Sequence, residues 1–213
     1  MKNKFLLIGS ALLLCGISHL SAGDVDSKDA KSTTPPQVPA FRHGGQEVEL
    51  NAGAMFSVST HSATHPELNY AIQDVRYGYM LDDVYGPTLW HGNDEFLVEG
   101  FGGEVFKGPG KALGGGDLLL RHNFVQDGWK LVPFFQIGGG ALDNDIYHQQ
   151  TQRLIGEGFE FMLTAGAGVR YMITDHWALS LEGDYRHISN ADLAPRNFGL
   201  NSLGGTLGVN FLF

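Results

Sequence analysis

Phe159-Glu160-Phe161-Met162-Leu163-Thr164-Ala165-Gly166-Ala167-Gly168-Val169-Arg170-Tyr171 is the stretch that decides the fold. Phe159, Phe161, Leu163, Ala165, Ala167, Val169 and Tyr171 share one face, and Glu160, Thr164 and Arg170 lie opposite. A period of two belongs to a β-strand. The run is much longer than the soluble strand of about 5–6 residues and long enough to cross a bilayer when tilted.

The same alternation recurs on both sides of it. Val48, Leu50, Ala52, Ala54, Phe56 and Val58 face away from Glu47, Glu49, Asn51 and Ser57. Val75, Tyr77, Tyr79 and Leu81 make a second strand, with Arg76 opposite. A third is expected over about 95–106, a fourth over about 117–126 and a fifth over 129–142. Trp177, Leu179, Leu181, Gly183 and Tyr185 make a seventh, opposite Ser180, Glu182, Asp184 and Arg186, and residues 203–213 close the chain as an eighth. Aromatic residues near strand ends (Tyr77, Tyr79, Trp129, Tyr171, Trp177) fit the interfacial girdles of outer-membrane barrels. The predicted fold is therefore all-β, an eight-stranded antiparallel transmembrane barrel. Its lumen is packed by Glu49, Arg76, Arg121, Glu160, Arg170, Glu182, Asp184 and Arg186, because eight strands enclose only enough room for side chains.

Both ends of the chain agree with that destination. Lys2 and Lys4 precede an apolar run from Phe5 to Ile17 and the small residues Ser21, Ala22 and Gly23, so 1–23 reads as a signal peptide. Residues 24–46, with Pro35, Pro36 and Pro39, read as a flexible polar leader, and 47–213 as the barrel. Thr206, Gly208, Phe211 and Phe213 match the outer-membrane assembly signal, which makes the assembly machinery an expected partner. Cleavage takes the formal charge from −9 to about −11 and removes the single cysteine, Cys15. An acidic chain is a poor partner for nucleic acid, and a chain without cysteine has neither disulfide nor thiol nucleophile.

Connection lengths orient the barrel. Residues 126–129 and 172–175 are tight turns, whereas 61–67, 107–114, 143–157 and 190–198 are longer and belong outside the cell. The segment 82–93 is long for a periplasmic turn and has no explanation in the sequence.

His187 and Ser189 share the parity of Leu179, Leu181 and Tyr185, so both are expected to face lipid at the outer end of the seventh strand. Polar groups there cost free energy, since acyl chains offer no hydrogen bonds. A histidine beside a serine is the base and nucleophile pair of acyl transfer, and the substrate within reach of that face is lipid. The blander alternative is a non-enzymatic small barrel, adhesive or structural, with interfacial polar residues at a strand end.

His187-x-Ser189-Asn190-Ala191, followed by Asn197, Gly199 and Asn201, resembles the outer-membrane lipid A deacylase family, PagL and its relatives. The resemblance is sharpest over 183–213 and looser over the rest of the barrel. It implies hydrolysis of the ester-linked acyl chain at the 3-position of lipid A by a lipid-facing triad, without metal or other cofactor. Residue by residue it implies His187 as general base, Ser189 as nucleophile and Asn190 as oxyanion support. Asn201 stands where PagL has a glutamate. Parity keeps it on the lipid face, and an amide oxygen can hold the histidine tautomer without stabilising the imidazolium as a carboxylate would. Reduced activity, a recruited acid such as Asp192, and loss of activity all stay open.

Lys107, Lys111, Arg153 and Arg196 are candidate contacts to lipid A phosphates, with ordinary loop charge as the competing reading. His61 and His65 lack a third ligand for a metal, and no helix follows Gly114–Gly116 to make a phosphate cradle. A homodimer is left open.

Overall fold

The protein is described by a computed structural model over residues 40–58 and 62–213. The signal segment, most of the leader and His61 lie outside the described residues. Eight antiparallel strands close on themselves: β1 (Gln46–Ser57), β2 (Asn69–Met80), β3 (Asn93–Lys107), β4 (Ala112–Asn123), β5 (Leu131–Asn144), β6 (Phe159–Met172), β7 (Trp177–Ser189) and β8 (Leu200–Leu212). β1 pairs with β8 from Glu47↔Leu212 to Ser57↔Ser202, so the sheet has no free edge. Every strand is 12–15 residues long. Among the described residues no helix is long and apolar enough to cross a membrane.

Side-chain parity separates two surfaces. Leu50, Val75, Val98, Leu118, Ile137, Leu163, Leu181 and Leu207 stand exposed on the outside, while Arg76, Arg121, Arg170 and Arg186 are buried inside. An apolar exterior around a charged interior inverts the soluble pattern and suits a barrel set in lipid. The exterior is that of an integral membrane barrel.

The lumen is filled in three layers. Midway, Arg76 pairs with Glu99 (2.6 Å), Glu182 (2.8 Å), Asp74 (3.2 Å) and Glu49 (3.4 Å). Arg121 pairs with Glu49 and Glu95, and Arg170 with Glu47, Glu49 and Glu95. The close group Glu47, Glu49 and Glu95 is thus an ion-pair cluster between two guanidinium groups. Toward the loop end an apolar plug includes Met55, Leu68, Tyr70, Ile146, Leu154, Ile155, Ile188 and Leu200. Toward the termini a smaller one includes Phe41, Met80, Val132, Met172 and Leu212.

Several boundaries differ from expectation. Ala40 and Phe41, which the sequence places in the leader, are buried, and Phe41 lies under the Arg170 guanidinium. β4 begins at Ala112, five residues before the expected start, which reduces the loop after β3 to residues 108–111. β2 starts at Asn69, and β7 continues through His187 to Ser189. The tight turn at 126–129 forms as expected, with Gly128 at φ 75 and Trp129 N–H donating to the Gln126 carbonyl.

Tyr77, Tyr79, Trp129, Tyr171 and Trp177 all fall at the barrel end that carries the start of β1, Gln46, and the end of β8, Leu212, where they make one interfacial girdle. The long segment at that end folds back against the outer wall. Trp90 packs near His122, Phe124 and Phe135, and Tyr85 donates to Asp94, which in turn pairs with His122. The extra length thickens the aromatic girdle.

Replacing Arg76 with Leu removes the closest cation of Glu99 and Glu182, leaving them buried with Arg186 (2.7 Å from Glu99) and the more distant Arg121 (3.9 Å from Glu182). The expected cost is about 3–5 kcal/mol, read as a lower urea midpoint for the barrel refolded in vesicles. Lys107, paired with Glu67 in the open (2.6 Å), is expected to cost less than about 1 kcal/mol on replacement by Ala.

Candidate active site

Strand pairing brings the polar residues together. β7 and β8 match His187 with Asn201 and Tyr185 with Leu203, while β6 sets Phe161 beside Ser189. On β7 and β8 the even residues Glu182, Asp184, Arg186, Ser202 and Thr206 are buried, and the odd residues Leu181, Tyr185, Leu203 and Leu207 are exposed. His187, Ser189 and Asn201 follow the odd series and lie half-buried on the outer wall.

His187 Nδ1 is 2.7 Å from Asn201 Oδ1. An amide oxygen only accepts, so Nδ1 carries the proton in this pairing and Nε2 keeps its lone pair. Ser189 follows on the same face. Among the described residues the His187 ring is hydrogen-bonded to Asn201 and not to Ser189. Serine–histidine contacts of this kind often tighten only when substrate arrives.

Gly199 shapes the other edge of the ring. Its φ is 81, in the left-handed region, and a Cβ there would lie 3.0 Å from His187 Cε1. The glycine therefore serves both the backbone and the space that the imidazole occupies.

The residues after Ser189 build a fixed turn. Asn190 points inward and is buried. Its N–H donates to Asn197 Oδ1 (2.9 Å) and its side-chain amide to the Arg196 carbonyl (3.2 Å). Asn190, expected from the sequence as oxyanion support, thus turns its side chain to the opposite face from Ser189 and engages its N–H with Asn197. Asn197 also donates to Asp192 Oδ1 (2.9 Å). That bond holds Ala191 and Asp192 at φ 51 and 63, which is uncommon for residues with a Cβ. Asp192 is thus engaged with Asn197, and Asn201 is the group that orients His187.

The candidate cations separate. Arg196 directs its terminal nitrogens to the carbonyls of Tyr147, Gln149, Gln152 and Gly156, so it clamps two outer loops together rather than facing a phosphate. Lys107 pairs with Glu67. Lys107 and Lys111 flank the β3–β4 turn, on the side of the barrel opposite β7. Arg153 is exposed, and its carbonyl accepts from Phe198 N–H beside the site. His65 packs its ring on Phe198 at 4.0 Å.

Below His187 on the outer wall runs a groove of about 550 Å3, bordered by Phe135, Ile137, Ala165, Ala167, Gly183, Tyr185 and Leu203. The small residues on β6 and β7 make it. Tyr185, which the sequence offers only as another apolar-face residue, donates its hydroxyl to Asn201 Oδ1 at 2.6 Å. The contact exists because the β7–β8 register sets Tyr185 diagonal to Asn201.

Fold and site together define a class: an integral outer-membrane barrel with a hydrogen-bonded histidine and a neighbouring serine on its lipid-facing wall. The family model for lipid A 3-O-deacylase (PagL) matches residues 50–210, and the chain belongs to that family. No curated protein matches the sequence. Among solved structures, Neisserial surface protein A (NspA) superposes with a TM-score of 0.58 at 16% identity, covering 80% of this chain and 100% of its own. The outer membrane enzyme PagL superposes with a TM-score of 0.54 at 19% identity, covering 76% of this chain and 97% of its own. At these identities the two likenesses carry the barrel fold alone. Family membership supports hydrolase activity on lipid A.

Replacing Gly199 with Ala is expected to cost about 1–2 kcal/mol through its left-handed backbone and to push the His187 ring off Asn201. The displacement should appear as changed His187 side-chain resonances in micelle NMR. Unchanged resonances would show that the ring does not depend on this glycine.

Proposed function

We propose that the protein is a serine esterase that removes the 3-O-linked acyl chain of lipid A from within the outer leaflet. The observation that carries this reading is the 2.7 Å contact between His187 and Asn201 on the lipid-facing wall, with Ser189 next along the same face. Family membership supports the substrate.

Ser189 Oγ attacks the ester carbonyl carbon while its proton passes to His187 Nε2. Collapse of the tetrahedral intermediate breaks the bond to the sugar oxygen, which takes the proton from His187. Water then attacks the acyl-serine, giving its proton to His187. Release of the fatty acid returns that proton to Ser189. Asn201 holds the ring through Nδ1 and supplies no charge, so the imidazolium is less stabilised than beside a carboxylate. The groove on β5–β8 supports placement of an acyl chain along the wall, and Arg153 is the cation best located to meet a phosphate. Phe211 and Phe213 support delivery by the assembly machinery through β8.

Expression in the outer membrane of a host with intact lipid A should remove one hydroxyacyl chain, visible by mass spectrometry. Ser189→Ala or His187→Ala should preserve that chain. Unchanged lipid A with the wild-type barrel folded in the membrane would favour the non-enzymatic alternative.

A further inference from the structure

An asparagine in the third position raises a problem that a carboxylate does not. A carboxylate offers oxygen from either side, whereas an amide has an oxygen end and an NH2 end. If the NH2 end of Asn201 faced His187, Nδ1 would become the acceptor and Nε2 would carry the proton. The histidine would then hold the wrong tautomer to take a proton from Ser189. Something must choose the amide's orientation, and on a lipid-facing wall water is scarce.

Tyr185 is placed to make that choice. It lies two residues before His187 on the same outward face of β7, diagonal to Asn201 on β8. Its hydroxyl and His187 Nδ1 converge on a single atom, Asn201 Oδ1, at 2.6 and 2.7 Å. One carbonyl oxygen has two lone pairs and can satisfy both donors. Turning the amide over would leave the phenolic hydrogen without that acceptor in an apolar setting, where an unmade hydrogen bond is expensive.

We propose that Tyr185 is a positioning residue: its hydroxyl holds the Asn201 amide oxygen toward His187 and so keeps the base's lone pair on Nε2. The role rests on the esterase reading above and deepens it, since it says how an uncharged third member can serve. Tyr185 stays aromatic and apolar toward lipid in the Tyr185→Phe variant, so the change removes one hydroxyl and leaves the wall intact.

The test is a double-mutant cycle between Tyr185→Phe and Asn201→Glu in the full-length barrel, assayed on lipid A in detergent micelles. A second readout is the His187 tautomer by nitrogen-15 NMR. In the Asn201 background Tyr185→Phe should lower kcat by about tenfold with little change in KM, and should shift His187 from the Nδ1–H form to a mixture of tautomers. In the Asn201→Glu background, where no end of the side chain is wrong, the loss should shrink to about twofold or less. Equal losses in both backgrounds, or an unchanged tautomer in Tyr185→Phe, would overturn the proposal. A wild-type barrel that leaves lipid A intact would instead count against the esterase reading. The tautomer measurement would then decide the role of Tyr185 by itself.

Discussion

Closure of β1 onto β8 is the constraint on which the rest of the molecule depends. In lipid an unpaired backbone N–H or C=O costs several kcal/mol, so a sheet crossing the membrane must have no edge. Once closed, each strand can send a side chain only inward or outward. The eight-stranded lumen has no room to spare, and the arginine–carboxylate layer between two apolar plugs fills it. Chemistry on a lipid substrate is therefore left to the outer wall.

That allocation explains the form of the site. β7 and β8 place a histidine, a serine and an asparagine where acyl chains would otherwise meet leucine. The cost of those polar groups is reduced by pairing the histidine with the asparagine and by half-burying all three at the outer rim. The loops contribute rigidity more than ligands. Arg196 binds four carbonyls of the β5–β6 loop, and Asn190 and Asn197 fix the turn after Ser189. Gly199 then passes beneath the imidazole without touching it with a side chain.

Much of this was legible in the sequence because parity in a strand is a strict rule. The faces of β6, β7 and β8 could be read residue by residue, and with them the lipid-facing position of His187, Ser189 and Asn201. Where side chains carry no contrast, the rule loses its grip. Gly114–Gly116 present no face, so nothing in the sequence marks the start of β4 at Ala112. The segment 82–93 has no period of two, and its packing on His122 and Phe135 depends on contacts across strands. Asn190 matches a family motif, but motif matching ignores which side of the strand a residue occupies. Arg196 and Tyr185 depend on register and on carbonyl positions, neither of which has a signature in one chain. The convergence of two donors on Asn201 was invisible for the same reason.

The most direct measurement is intact-protein mass spectrometry of the purified, folded barrel after treatment with a long-chain alkyl fluorophosphonate in detergent micelles. The expected result is a single covalent adduct that peptide mapping assigns to Ser189, absent in Ser189→Ala and strongly slowed in His187→Ala. A folded barrel that gains no adduct at Ser189, or gains it equally fast without His187, would contradict a histidine-activated serine nucleophile on the lipid-facing wall.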